Sequence, residues 1–290
     1  MLAALVIVFR EAMEAGLIVG IVMAATRDVP GRSKMIALGV IAGVAGACIV
    51  AAFAGQIGAL FDGVGQEVFQ ASVLSLAVVM LGWHTIWMAS HGRKTAQEMR
   101  TLGASVRDGS KSLTALSVVI GVAVLREGAE IVLFMYGISA SGDASAGSMA
   151  IGGAMGVAGG AALAWLMYRG LLAIPAHRLF SVTSTLIMLV AAGLASQAIG
   201  IFQRAGYAEV FNEPLWNTGW LLRESSLGGK VLHTLIGYTD QPTGLQLITY
   251  ALTLATIYFL SRATAPQPRT RLAPSAPPVL RPSGFVEQQR

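Results

Sequence analysis

The sequence predicts an all-α, polytopic membrane protein with seven transmembrane helices, and three observations support this prediction. Of the 290 residues, 54% are hydrophobic. Only 12% are charged, whereas soluble domains average about 25%. Apolar runs of about 20 residues, the length that crosses the hydrocarbon core of a bilayer, recur along the chain. The single cysteine, Cys48, excludes an intramolecular disulfide and a cysteine-based metal site.

Polar turns divide the chain into apolar segments that we interpret as helices. In chain order these segments cover residues 2–25, 35–60, 68–89, 113–138, 149–172, 179–202 and 245–260. A polar stretch, 91–111, separates the third segment from the fourth. The loop 204–244 is too apolar to be free, and we expect a short helix there, on the outer surface or over the bundle. The tail 264–290 contains six prolines, so we expect it to be disordered and cytoplasmic.

The distribution of lysine and arginine predicts the orientation in the membrane. Fifteen of these residues follow the first, third, fifth and seventh segments. The opposite side carries three, Arg204, Arg223 and Lys230, all in the long loop. Because positive charge is retained on the cytoplasmic side, we expect the N-terminus outside and the C-terminus inside. Acidic residues near the outer side are candidates for an entrance that attracts cations; they are Asp62, Glu67, Asp143, Glu209, Glu213, Glu224 and Asp240.

Two copies of the motif Arg-Glu-x-x-Glu lie inside apolar segments. The first copy is Arg10-Glu11-x-x-Glu14, and the second is Arg126-Glu127-x-x-Glu130. A charge at the centre of a membrane helix costs roughly 2.5–3.5 kcal/mol on insertion scales. Six charges at this depth therefore indicate a functional or a strongly paired cluster.

The spacing of the two motifs indicates an inverted repeat. They lie in the first and fourth segments, so three crossings separate them and their helices run in opposite directions. We expect repeat one at about 1–91 and repeat two at about 113–203, followed by the last helix. Secondary transporters built this way place their site between the halves. Glycine spacings in the second segment (Gly39, Gly43) and the fifth (Gly152, Gly156, Gly160) predict close helix packing.

The chemistry of the motifs favours a cation site. Positions i, i+3 and i+4 share a helix face, so each motif presents two carboxylates and one guanidinium group together. Two such faces carry a net charge near minus two, and carboxylate oxygens suit hard multivalent ions. The candidate metal ligands are Glu11, Glu14, Glu127 and Glu130, supported by Arg10 and Arg126. For His84, in the third segment, we favour a hydrogen-bonded helix contact over a ligand role.

Other interpretations remain open from these residues alone. The cluster also fits a transporter of manganese or another divalent ion. Paired Glu-x-x-Glu helices occur in di-metal oxidoreductases, although these usually add a Glu-x-x-His pair that neither motif has. A membrane scaffold held together by salt bridges is a further possibility.

The paired motifs resemble those of the oxidase-dependent iron permease family, which includes the ferric-iron permeases of fungi and the bacterial Efe-type iron permeases. Further segments are similar to bacterial members; they are Trp87-Met88-x-x-His91-Gly92-Arg93, the segment 216–222, and Gly237-Tyr238-x-x-x-Pro242-Thr243-Gly244-Leu245-Gln246. The first motif has Ala12-Met13 where the family commonly has Gly-Leu, and the charged positions are intact.

The resemblance implies a non-enzymatic iron uptake permease over residues 1–263, in the bacterial inner membrane. It implies that the four motif glutamates bind iron, ferric or ferrous, as the transported substrate, without a resident cofactor. The partners it implies are an outer oxidase, a peroxidase or a periplasmic iron-binding protein, and not nucleic acid.

Overall fold

The computed structural model describes residues 1–59, 66–140, 145–170 and 176–264, which are almost entirely helical. The helices are α1 (Leu2–Ala25), α2 (Arg32–Ala59), α3 (Gln66–Arg107), α4 (Leu113–Ala140), α5 (Ala146–Tyr168), α6 (Ala176–Arg204), α7 (Leu227–Ile236) and α8 (Gly244–Thr264). Within these ranges the only β feature is an isolated bridge between Pro214 and Thr243. The all-α fold class is therefore confirmed. The tail predicted to be disordered follows Thr264 and lies outside the described residues.

Five of the described helices are long and apolar enough to cross a membrane. These spans are Arg32–Ala54, Glu67–Gly92, Ala146–Tyr168, Phe180–Arg204 and Gly244–Thr264. Helices α1 and α4 have comparable lengths, 24 and 28 residues, but each contains one charged motif. Large apolar side chains on α2 face outward, with Ile41 65% and Phe53 62% exposed. Such exposed apolar faces are typical of contact with lipid.

Helix α3 is much longer than the predicted third segment, because the polar stretch after Ala89 is also helical as far as Arg107. At about 1.5 Å per residue, its 42 residues extend over roughly 60 Å. Two apolar residues of this extension, Leu102 and Val106, are buried against α1, α2 and α4 in a cluster with Val22, Ile36 and Leu116. The extension thus joins the ends of four helices at one end of the bundle.

The glycine spacings predicted to permit close packing do so in the structure. On α5, a Cβ atom added to Gly160 would lie 2.5 Å from the Phe9 carbonyl oxygen of α1. On α2, a Cβ atom added to Gly39 would lie 2.5 Å from the Ser117 carbonyl oxygen of α4. Real Cβ contacts are not this short, so only glycine permits these backbones to approach. Each motif helix is therefore packed closely against a glycine-bearing partner.

The long segment between α6 and α8 contains the short helix α7. Ser226 caps its first turn by accepting a hydrogen bond from the Gly229 amide, and Gly237 ends it in the left-handed conformation, φ 68°. Gly237 also lies directly against Gly193 of α6, where neither residue has room for a side chain. Tyr238 donates a hydrogen bond to the Leu222 carbonyl. These contacts fix the segment onto the bundle.

Candidate metal centre

The first motif is buried completely between helices. Arg10 and Glu11 have no exposed surface, and Glu14 is 3% exposed. The Arg10 Nε atom lies 2.8 Å from Glu14 Oε1, and its Nη1 atom lies 3.4 Å from Glu11 Oε1. The i, i+4 spacing places Arg10 beside Glu14, as the sequence predicts. One guanidinium group therefore faces two carboxylates, and this motif has an excess of negative charge.

The second motif is placed differently. Glu127 is buried, whereas Glu130 and Arg126 have 16% and 41% of their side chains exposed. Arg126 Nε donates a hydrogen bond of 3.0 Å to Glu130 Oε1. The Arg126 guanidinium also lies over the indole ring of Trp87, 4.2 Å from the ring centroid, a cation–π contact. The two motifs are alike in sequence but not in their surroundings.

The structure brings glutamates of both motifs together around one histidine. Ligand atoms of Glu11, His84, Glu127 and Glu130 all lie within 4.8 Å of one another, the spacing of a possible metal site. The second carboxylate oxygen of Glu14 lies 3.7 Å from His84 Nε2. All four glutamates predicted as metal ligands therefore lie close to a single point. Arg10 and Arg126 flank this point from opposite motifs.

His84 is the residue whose place the sequence interpretation underrated. It was favoured as an ordinary helix contact, yet it is 4% exposed and lies among the carboxylates of both motifs. Its Nδ1 atom contacts Glu130 Oε2, and its ring meets Phe134 edge-on, with the centroids 6.4 Å apart. The available signal was its position, a lone histidine within a span that is otherwise apolar.

Two cavities reach the carboxylate cluster from different directions. One, of about 530 Å³, touches Trp83, His84, Arg126 and Glu130. The other, of about 960 Å³, begins at Glu11 and Glu127 and extends along α1, α2, α4 and α5 to Arg27 and Arg169. The cluster is therefore buried among helices but open to cavities large enough for a hydrated ion.

Some of the acidic residues predicted to form an entrance line a separate cavity at the Met1 end of the bundle. Glu224 and Asp240 line this cavity of about 790 Å³, together with Met1, Ser145 and Lys230. Three other candidate entrance residues, Glu67, Glu209 and Glu213, lie in other parts of the described structure and do not line this cavity. Asp62 and Asp143 lie outside the described residues.

Comparisons with known proteins bear on this site. Residues 1–265 match the model of the iron permease FTR1 family. The chain is 30% identical over 241 residues to the ferrous iron permease EfeU of Escherichia coli O6:H1, covering 82% of this chain and 86% of the relative. A putative inactive ferrous iron permease EfeU of Escherichia coli K12 is also 30% identical over 241 residues, with the same coverage. The permease of Shigella sonnei is 29% identical over 242 residues, again covering 82% and 86%. No solved structure matches the chain significantly.

Proposed function

Because the chain belongs to the iron permease FTR1 family and is a multi-pass inner-membrane protein, we propose that it takes up iron through the site formed by its two Arg-Glu-x-x-Glu motifs. The motif carboxylates supply negative charge and the oxygen donors that replace hydration water of the ion. Arg10 and Arg126 orient the carboxylates while no ion is bound. The family is one of transporters, so the activity is transport rather than catalysis.

The observation that carries this proposal is the convergence of both motifs on one buried point. Glu11, Glu14 and Glu127 are each less than 5% exposed. Buried carboxylates repel one another and lose their hydration, so three or four of them in one place are costly without a compensating cation. Arg10 and Arg126 supply two positive charges for four carboxylates. A multivalent ion supplies the missing charge.

The packing of the helices supports the inverted repeat. If the first three helices correspond to the next three, α1 exchanges with α4 and α2 with α5. The close pair α1–α5 then corresponds to the close pair α4–α2, and both pairs pack through glycines. The site lies between α1 and α4, where the two halves meet. We propose seven spans, formed by all the described helices except α7, with the N-terminus outside.

In this orientation the cavities define a route. Iron enters from the Met1 end, where Glu224 and Asp240 line the outer cavity. It exchanges water for the motif carboxylates and leaves through the cavity that leads from Glu11 and Glu127 to Arg27. A rocking motion of the two halves around the site provides alternating access.

The names of the relatives support a proposal for the oxidation state of the ion. Those compared above are ferrous iron permeases by name, and we propose ferrous iron as the transported form here. The manganese transporter and the di-metal oxidoreductase are not favoured by the comparisons. An outer oxidase, a peroxidase or a periplasmic iron-binding protein stays a proposed partner.

The test is radioactive iron uptake into proteoliposomes containing the purified full chain. Wild type is compared with the Glu11→Gln/Glu127→Gln double variant, with ferrous and ferric iron supplied separately. Glu98→Gln is the matched control, because Glu98 is exposed on the α3 extension, where it pairs with Lys94 at 3.9 Å. We expect the double variant to lose uptake and Glu98→Gln to keep it.

Uptake by the double variant at the wild-type rate would disprove the motif site. Uptake of ferric but not ferrous iron by wild type would reverse the proposed oxidation state. The same proteoliposomes, supplied with manganese as competitor, measure how far the site distinguishes the two divalent ions.

A further inference from the structure

His84 lies at the point where the two motifs meet, although it belongs to neither. Its Nδ1 atom contacts Glu130 Oε2 of α4. Its Nε2 atom lies 3.7 Å from Glu11 Oε2 and 3.7 Å from Glu14 Oε2, both on α1. A single imidazole ring on α3 thus bridges the two motif helices.

Several buried atoms around this ring have no hydrogen-bond partner among the described residues. They include His84 Nε2 and the Oε2 atoms of all four motif glutamates, of which that of Glu130 is in contact with His84 Nδ1. Buried polar atoms in folded proteins are nearly always hydrogen-bonded, so a group of unpaired acceptors facing one another requires an explanation. A cation among them satisfies all of these atoms together.

The distances are suitable for one ion. Two atoms that bind the same divalent ion at about 2.1 Å each lie roughly 3.0–3.4 Å apart. The separations of 3.7 Å between His84 Nε2 and the two carboxylate oxygens of α1 exceed this by a few tenths of an ångström. Shortening these two separations by that amount gives the spacing of two donors around one ion.

Glu130 has a different environment from the other three glutamates. Its Oε1 atom accepts a hydrogen bond from Arg126 Nε, and its Oε2 atom contacts His84 Nδ1. Both oxygens are therefore directed at side chains of the protein. A carboxylate on one ring nitrogen of a histidine, with the other nitrogen directed at a metal, is the usual arrangement in metal centres, because it fixes the tautomer and the ring orientation.

We propose that His84 Nε2 is a ligand of the transported ion together with Glu11, Glu14 and Glu127, and that Glu130, held by Arg126, acts as a positioning residue for His84. This inference rests on the proposed iron site and names its donor set, three carboxylates and one imidazole. A nitrogen donor favours borderline ions such as Fe²⁺, whereas oxygen donors alone suit Mn²⁺ and Mg²⁺. His84 therefore makes the site selective for ferrous iron over manganese.

The direct test is pulsed electron paramagnetic resonance on the full chain in lipid nanodiscs, with Mn²⁺ as a paramagnetic probe of the site. In wild type we expect hyperfine coupling from one imidazole nitrogen. His84→Gln should lose this coupling. His91→Gln is the matched control, because His91 lies on the same helix, where it is exposed and stacked on Trp87; it should keep the coupling.

Glu130→Gln separates a positioning role from a ligand role. We expect it to keep the nitrogen coupling while Mn²⁺ affinity falls by about 10–100-fold, the usual effect of removing a partner of a histidine ligand. In uptake, His84→Gln should lower the preference for Fe²⁺ over Mn²⁺ by about tenfold or more. The same ratio in His91→Gln should equal that of wild type.

Bound Mn²⁺ without nitrogen coupling in wild type, or coupling that persists in His84→Gln, would overturn the inference while leaving the carboxylate site intact. Loss of nitrogen coupling in Glu130→Gln with unchanged affinity would overturn the positioning role. If Glu11→Gln/Glu127→Gln binds Mn²⁺ as tightly as wild type, the proposed site itself fails, and this inference with it.

Discussion

At the scale of single residues, the two motif arginines have different tasks. Arg10 is fully buried and lies within 3.4 Å of two carboxylates, those of Glu11 and Glu14. Arg126 is 41% exposed, pairs with Glu130 and covers Trp87. A planar guanidinium engages two acceptors in a fixed geometry, which the single ammonium group of lysine does not reproduce. The two motifs have the same sequence, but the geometry of the first depends more strongly on its arginine.

We predict that Arg10→Lys lowers the initial rate of iron uptake about tenfold, because a lysine ammonium group cannot hold both carboxylates in place. Arg126→Lys is the matched variant and should reduce uptake by about twofold, since its charge is partly exposed and its contact with one carboxylate is replaceable. Uptake into proteoliposomes, normalised to the amount of inserted protein, is the measurement. Wild-type uptake by Arg10→Lys would show that only the charge matters at this position.

The glutamates and arginines of the site were predictable from sequence, and His84 was not. Charged residues in an apolar segment are a clear signal, because placing a charge in the membrane costs free energy however the helix packs. A lone histidine in an apolar span is a weaker signal, since it serves equally well as a hydrogen-bonded helix contact. Tertiary packing decides which face of α3 contacts α1 and α4. It therefore decides whether His84 lies beside the motif carboxylates.

At the scale of helices, close packing through glycine determines where the motifs lie. Gly156 and Gly160 of α5 both approach the α1 backbone near Phe9, directly beside Arg10. A side chain at Gly160 would separate α5 from α1 and shift the first motif. Gly153, also on α5, has only the end of the flexible Met135 side chain nearby, 3.9 Å from an added Cβ atom.

We predict that Gly160→Ala destabilises the protein by about 1–3 kcal/mol, the usual cost of overpacking. Gly153→Ala has the same change of helix propensity without the clash, and its stability should equal or slightly exceed that of wild type. Thermal unfolding in detergent, followed by loss of the monodisperse peak in size-exclusion chromatography, measures both. Similar unfolding temperatures for the two variants would contradict the close packing of α1 and α5.

The helices inside the membrane were more predictable than those outside it. Apolar runs locate spans because lipid excludes unpaired backbone groups, so length and hydropathy are sufficient. Hydropathy did not predict the α3 extension after Ala89, because its residues are mostly polar. Tertiary contacts of Leu102 and Val106 stabilise it. Its two buried apolar side chains lie four positions apart, the spacing of a helix that packs on one face.

At the scale of the whole molecule, we propose that the transport unit ends near residue 264. The family match stops at residue 265, and α8 ends at Thr264. We predict that removing residues 265–290 leaves iron uptake within about twofold of wild type, because the candidate site residues lie before this segment and the family match ends at its first residue. Uptake by the truncated and full-length chains in proteoliposomes is the measurement, and a large loss would assign a function to the tail.

The orientation of the whole protein is open to a direct test because its sequence contains one cysteine. In a Cys48→Ala background, single cysteines are introduced at Ser110, in the turn between α3 and α4, and at Tyr207, just after α6. Both positions are exposed, Tyr207 by 73%. A membrane-impermeant maleimide is then applied to intact cells and to lysed cells.

The three helices between these positions, α4, α5 and α6, predict opposite sides of the membrane for the two cysteines. The positive-inside rule places Ser110 in the cytoplasm, so we expect Tyr207→Cys to react in intact cells and Ser110→Cys only after lysis. The reverse labelling pattern would mean that the protein has the opposite orientation in the membrane, and the proposed route of iron would be reversed. Labelling of both cysteines from the same side would mean that α4, α5 and α6 make an even number of crossings. They would then not form a three-span repeat that matches α1, α2 and α3, and the basis for a site between two symmetric halves would be lost.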